Sequence, residues 1–300
     1  MTEILSYSKI NCFLYVTGKR NDGYHELYSL MACLELYDKI SIEKTFHNKI
    51  EVFCEHPDVP EGKQNIAFKA ATIFFENYFS NSNGEKIKNI GLIIRIKKNI
   101  PVGAGLGGGS SNAASVLMAL NNLHGNIFSK PELIKMGLLL GADVPFFIFG
   151  SPAIVKGIGE KLEKCGPLIP YYLILCYPGV VASTSKVFKN FKIKLTENSR
   201  FDINTRLNVQ QDIQDRAKTI DVAKFMHNDL ETTAYSLYPD IARAKEEMEF
   251  VLSEKVCMTG SGSSLFAFFI DRKKAEQAYS RLEYKWRTST KQVFLTCFKI

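Results

Sequence analysis

The sequence predicts an α+β protein of one large domain or two of ordinary size, and three observations carry that reading. Runs rich in β-branched residues and stretches with helical apolar spacing are mixed without a regular strand–helix–strand alternation, which argues against a doubly wound sheet. At 300 residues the chain has the length of one large domain or two of ordinary size, and a composition change near residues 157–170 is the candidate boundary. A glycine-rich loop lies between a strand-like run, 90–98, and a helix-like run, 110–123.

The elements follow in order. Residues 4–17 alternate enough to form a strand, with Lys9 and Asn11 on one face. Residues 18–25 form a polar turn ending in Tyr24 and His25, and 27–43 and 50–54 extend the sheet. Asn65 to Phe79 carries apolar residues at helical spacing, and Asn81 to Lys88 reads as a polar loop. After the glycine loop and its helix, Ser129-Lys-Pro-Glu132 is a helix start signal. Ala153 to Leu162 reads as two short strands around a Gly-Ile-Gly turn, and Tyr171 to Tyr177 as an apolar strand. Residues 190–225 are poor in pattern and read as surface helices and loops. A helix is expected to start within Asn228-Asp229-Leu-Glu231, and an amphipathic one spans Tyr238 to Leu252. A Gly/Ser turn in Cys257 to Phe269 opens a strand, and a helix over 273–282 and a strand over 293–298 close the chain.

Composition removes several function classes. Hydrophobic content of 46% supports a buried core, and the net charge of +7 is spread along the chain. That charge reads as a solvated basic face or as a general attraction for anionic small molecules. There is no long basic block, zinc signature or RNA-binding motif, so no nucleic-acid partner is expected. The N-terminus lacks a basic start and an apolar core, and no apolar run reaches the roughly 18 residues of a membrane span, so no membrane partner is expected. The seven cysteines are scattered without a Cys-x-x-Cys pair. They read as small buried hydrophobes in a reducing compartment, and a cytoplasmic location follows. The histidines do not cluster with them at ligand spacing, so no structural zinc is expected.

The loop from Pro101 to Ala114 holds five of the chain's 20 glycines. Strand, glycine loop and helix aim free backbone N–H groups at an anion, which reads as a nucleotide phosphate site; the plain alternative is a flexible connection. Gly103-x-Gly105-x-x-Gly108 also matches a dinucleotide fingerprint, but no acidic residue ends a second strand near Leu123 to Phe128. A P-loop needs Gly-Lys-Ser/Thr, and this loop continues Gly109-Ser110-Ser111. The flanking signatures of a protein kinase are absent.

Two polar residues stand out in apolar surroundings. Lys9 is either an edge-strand lysine facing water or a cation held for an anionic group, because burying an unpaired ammonium is costly. Asp143, in Gly141-Ala-Asp-Val-Pro-Phe-Phe147, either caps a helix or belongs to a site.

Four stretches in this order resemble the GHMP kinase superfamily of small-molecule kinases: Lys9-Ile-Asn11, the Pro101–Ala114 loop, Gly141-Ala-Asp-Val-Pro145 and Met258-Thr-Gly-Ser-Gly-Ser263. Asp22-Gly-Tyr-His25 and the ending Leu106-Gly-Gly-Gly-Ser-Ser-Asn-Ala-Ala resemble the branch acting on a cytidine-diphosphate-linked methylerythritol. The chain departs from that pattern at Tyr7-Ser8, Cys12 and Ser185, which bears on substrate geometry.

The resemblance implies an N-terminal ATP-binding domain over 1–160 with a mixed sheet, a sandwich-like α/β C-terminal domain over 161–300, and an active site in the cleft between them. It implies Asp143 as the group that accepts the hydroxyl proton, with Lys9 beside it. Pro101, Val102, Gly103, Ala104, Gly105, Leu106, Gly107, Gly108, Gly109, Ser110, Ser111 and Asn112 would hold the ATP phosphates, with Asn65 and Lys98 flanking the adenine side. Asn11, Tyr24, His25, Thr184 and Phe188 would bind the cytidine diphosphate end of the acceptor. Mg2+ would accompany ATP, held mainly by phosphates and water. A monomer or homodimer is expected. A mevalonate- or homoserine-type kinase, or a non-catalytic nucleotide-binding regulator, remains an alternative.

Overall fold

A computed structural model describes residues 2–81, 91–192 and 218–299. The polar loop expected up to residue 88 and the surface segments expected across 193–217 lie almost wholly outside the described residues. Packing divides the chain into two units built from discontinuous segments. One is Met1–Lys9, Leu36–Val102 and Gly107–Ser151; the other is Ile10–Glu35, Gly103–Leu106 and Pro152–Ile300. The long strands β1 (Thr2–Lys19) and β2 (His25–Thr45) contribute residues to both. Ser8 to Val16 of β1 is buried without a break rather than on alternate residues, so this strand is covered on both faces.

In the first unit the end of β2 pairs antiparallel with β4 (Gly91–Lys97), which pairs in parallel with β3 (Ile50–Cys54), giving the mixed sheet the sequence predicts. Ile40, Ile42, Leu92, Ile94 and Ile96 are buried at alternate positions, as a sheet with one covered face requires. Helices α1 (Ile66–Asn81) and α2 (Gly108–Leu123) pack together, and their alanines at 67, 70, 71, 113 and 114 are fully buried. Phe74 anchors α1, with the rings of Phe75, His124 and Phe128 all within 5.6 Å. A fully buried phenylalanine of this kind contributes roughly 1.5–3 kcal/mol.

Helix α3 (Lys130–Leu140) opens where the start signal lies, with Glu132 Oε2 accepting the Ser129 N–H at 2.8 Å and its hydroxyl at 2.6 Å. The short helix α4 (Val144–Phe149) follows and ends at Gly150, whose φ of 74° suits a left-handed stop.

In the second unit the start of β2 pairs antiparallel with β5 (Ala153–Gly157), and β5 with β6 (Lys161–Lys164). A four-stranded antiparallel sheet runs β11 (Gln292–Cys297), β7 (Tyr172–Tyr177), β10 (Leu265–Phe269), β9 (Cys257–Met258). Helices α7 (Pro239–Leu252) and α8 (Arg272–Trp286) join its core through Ile241, Met248, Leu282 and Trp286.

The helix expected within Asn228-Asp229-Leu-Glu231 starts at the last of these residues. His227 and Asn228 form β8, parallel to β1 at Phe13 and Leu14, and helix α6 (Glu231–Leu237) follows. The Asn228 side chain accepts the Leu230 N–H at 2.9 Å, a turn that competes with helix start at that position. The remaining helix, α5 (Thr184–Asn190), is capped by Ser183.

All seven cysteines are free, and burial pushes every thiol above its ordinary range. They therefore pack as apolar groups rather than react as thiolates. Among the described residues no helix is long and apolar enough to cross a membrane.

Candidate active site

Asp143 occupies the residue before α4, yet its side chain makes no capping bond. Its Oδ2 lies 3.4 Å from Lys9 Nζ, both within the first unit. The Lys9 side chain is 5% exposed and that of Asp143 is 38% exposed. These values decide both open readings: Lys9 does not face water, and Asp143 is not a cap. A half-exposed carboxylate held by a buried ammonium is reachable by a small molecule and carries its own countercharge. The buried lysine in turn gains the partner its burial demands.

The glycine loop is shared between the units, with Gly103–Leu106 in the second and Gly107 onward in the first. Helix α2 begins at Gly108, two residues earlier than its composition suggests. Gly107 precedes it in the left-handed region, at φ 71°, and no side chain caps the helix. The N–H groups of the first turn have no intrahelical partner, so this end presents donors and positive potential. A Cβ on Gly107 would lie 2.9 Å from the Phe147 ring and 3.1 Å from the Lys9 chain, so glycine there lets Lys9 come up against the helix start.

Within the second unit the Gly/Ser turn at 259–264 braces the other half of the loop. The Ser264 N–H donates to Ala104 O at 3.0 Å. At Gly105, φ is +77° and a Cβ would lie 2.5 Å from the Gly262 carbonyl oxygen, so only glycine fits. Asn228 Nδ2 donates to the carbonyls of Met258 and Gly260, each at 2.7 Å, and the Asn11 N–H donates to Thr259 Oγ1 at 2.8 Å. Asn228 is a residue that sequence reasoning missed, because its partners lie 30 and 32 residues further along, beyond two helices.

The other candidates lie as follows. Pro101, Val102, Gly103, Gly109 and Ser110 are at least partly exposed, whereas Ala104 and Leu106 are buried. Ser111 Oγ accepts from Ser6 Oγ at 2.8 Å. Asn65 caps α1, its Oδ1 accepting the Ala67 N–H at 2.9 Å while its Nδ2 donates to Pro60 O at 2.7 Å. Lys98 and Asn112 meet each other at Asp38, which the sequence reading passed over.

On the acceptor side, His25 and Phe188 come together in the second unit, ring centroids 5.4 Å apart and 33° between planes. Phe191, not anticipated, meets His25 edge-on at 5.9 Å. Phe188 and Phe191 sit three residues apart, a helical spacing that could have flagged the second ring. His25 is buried, yet its Nε2 has no hydrogen-bond partner among the described residues. Burial, with Lys19 nearby, pushes the His25 pKa below 6.5. Thr184 Oγ1 bonds Ser261 Oγ at 2.8 Å, and Asn11 Nδ2 donates to Ser29 Oγ at 2.8 Å. Tyr24 is exposed.

The profile of the GHMP kinases N terminal domain matches residues 65–151, and that of the GHMP kinases C terminal matches 215–288. A 4-diphosphocytidyl-2-C-methyl-D-erythritol kinase of Syntrophotalea carbinolica is 40% identical over 96% of this chain and 97% of its own. One from Clostridium botulinum is 37% identical over 95% of this chain and 96% of its own. Among solved structures, a 4-(cytidine 5'-diphospho)-2C-methyl-D-erythritol kinase superposes with a TM-score of 0.74 at 29% identity, covering all of both chains. A homoserine kinase from Cytophaga hutchinsonii superposes with a TM-score of 0.72 at 13% identity, covering 99% of this chain and 94% of its own, which shows a common fold alone. With identity sustained over nearly the whole length of its relatives, this chain belongs to the GHMP kinases and, within them, to the 4-diphosphocytidyl-2-C-methyl-D-erythritol kinase family.

Proposed function

We propose that this ATP-dependent small-molecule kinase transfers the γ-phosphoryl group of ATP to the 2-hydroxyl of 4-diphosphocytidyl-2-C-methyl-D-erythritol, a step toward isoprenoid precursors by the non-mevalonate route. The observation that carries the reading is the Lys9–Asp143 pair, 3.4 Å apart in the unit that also holds the uncapped start of α2. Phosphoryl transfer needs positioning and charge stabilisation more than covalent help from the protein. Asp143 accepts the proton as the acceptor O–H bond breaks and the new O–P bond forms. The bond from the γ-phosphorus to the β–γ bridging oxygen breaks, and ADP leaves. Lys9 holds Asp143 in place and offsets charge on the transferring oxygens. The backbone N–H groups of the glycine loop and of the first turn of α2 bind the phosphates. His25, Phe188, Tyr24, Thr184 and Asn11 form the cytidine side, the aromatic rings stacking on the pyrimidine.

Among the described residues no three of His, Cys, Asp and Glu gather as a metal site. The loop's own groups are amides and hydroxyls, and the carboxylates of Asp143 and Asp38 are paired with Lys9 and Lys98, so a Mg2+ arriving with ATP would have phosphate and water as its main ligands. Bound there, it would neutralise phosphate charge.

The reaction is tested by ADP release with 4-diphosphocytidyl-2-C-methyl-D-erythritol, free methylerythritol, mevalonate and homoserine. The cytidine-linked substrate should exceed the others in kcat/KM by about 10³-fold or more, the scale on which a site built to bind polar groups rejects molecules lacking them. A preference for mevalonate or homoserine overturns the assignment.

His25 adds a pH prediction. A histidine whose folded pKa lies below its unfolded value stays neutral in the folded protein, so its contribution to stability is present above about pH 6.5 and is lost as pH falls toward the folded pKa. The acceptor KM should be flat from pH 8 to about 6.5 and rise below that. In His25→Gln the KM should start higher and lose this rise. A rise unchanged in the variant removes His25 from the cytidine side.

A further inference from the structure

We propose that Asp38 is a positioning residue for the phosphate-binding loop, acting through Lys98 and Asn112. It rests on the reading of that loop as the ATP site. Asp38 lies on β2 in register with Leu34, Ile40 and Ile42, and all four are essentially without solvent exposure. A carboxylate at an apolar register position is costly unless every lone pair finds a donor. Asp38 has four. Its Oδ1 accepts the N–H groups of Asn99 at 2.8 Å and Ile100 at 2.9 Å. Its Oδ2 accepts Asn112 Nδ2 at 2.9 Å and pairs with Lys98 Nζ.

These donors bracket the loop. Residues 98–100 lead into Pro101, and Asn112 stands in the first turns of α2. One carboxylate therefore ties the entry of the loop to its exit. The grip extends further, because Asn112 Nδ2 also donates to Ser6 Oγ at 2.9 Å, and Ser6 Oγ donates to Ser111 Oγ at 2.8 Å. Lys98 is engaged by Asp38 and by Asn112 Oδ1 at 3.3 Å, with its side chain only 6% exposed. Its ammonium lies 3.1 Å from where a Cβ on Gly108 would stand, so it also sets a positive charge against the first residue of α2. Every atom of this cluster belongs to the first unit. A loop clamped at both ends presents its N–H groups already oriented, so binding phosphate demands less reorganisation.

The decisive variant is Asp38→Asn, which keeps the size of the side chain but replaces one carboxylate acceptor with an amide donor. The ADP Kd and the ATP KM should rise about tenfold or more, as expected for breaking hydrogen bonds to a charged group, while the acceptor KM stays within about twofold. A purely structural role would lower Tm and the active fraction yet leave ADP affinity alone. Lys98→Met and the double variant Asp38→Asn/Lys98→Met give the second readout. If Lys98 acts within the clamp, the double variant binds ADP no more weakly than the worse single one; fully additive losses place Lys98 on the nucleotide by itself. Should Asp38→Asn fail to fold, Ser6→Ala loosens the same cluster without stranding a charge and should weaken ADP about two- to fivefold, on the scale of one neutral hydrogen bond. A folded Asp38→Asn, or in its place Ser6→Ala, with parental ADP affinity overturns the proposal, as do additive losses. ADP binding needs no acceptor: a parent protein that binds ADP but phosphorylates no acceptor counts against the proposed reaction only, and one that does not bind ADP sinks both.

Discussion

Asp143→Asn is expected to lower kcat by about 10²–10⁴-fold, the usual contribution of a positioned general base, with the ATP KM nearly unchanged. The amide matches the carboxylate in size but cannot take the hydroxyl proton. Its place ahead of α4, without a capping bond, means the helix start does not depend on it. Stability should still fall, because the exchange removes the carboxylate 3.4 Å from a lysine that is 5% exposed. Single-turnover rates with a parallel Tm measurement separate the two effects. A folded variant retaining more than about a tenth of the parent rate, a loss below roughly 1.4 kcal/mol in the barrier, removes Asp143 from the role of base.

Lys9→Met is expected to cost about 10²–10³-fold in kcat, the scale seen when one group stabilising transition-state charge is removed. Methionine fills much of the lysine stem's volume, and Asp143, at 38% exposure, can be solvated when its partner leaves. The fold should therefore tolerate this exchange better than the loss of Asp143, since no buried charge is stranded. The pattern that identifies Lys9 as an electrostatic group is a large fall in kcat with Tm close to the parent value. Near-parental kcat would show that the ammonium serves packing alone.

Several turns and helix starts were legible in the sequence because each carries its backbone signal locally. Positive φ at Gly105 and Gly107, the start of α3 at Ser129 and the turn between β5 and β6 depend on residues a few positions apart. Asp38, Asn228 and Phe191 were not legible. In Leu36-Tyr-Asp-Lys-Ile40 the aspartate reads as an ordinary surface residue of a strand, and only its burial beside residues 98–100 and 112 reveals four donors. Asn228 reads as a helix start because short polar residues favour caps, but strand pairing with β1 and two distant carbonyls take it instead.

By itself the sequence determined the α+β class, because backbone conformation and period are local properties, and its motif stretches carried the resemblance to the kinase family. Only the tertiary structure decided which charges meet. Whether Lys9 faced water, and whether Asp143 capped a helix, turned on burial and on one distance between residues far apart in the chain. Electrostatic energy depends on separation and on access to water, and neither is written in the order of the residues.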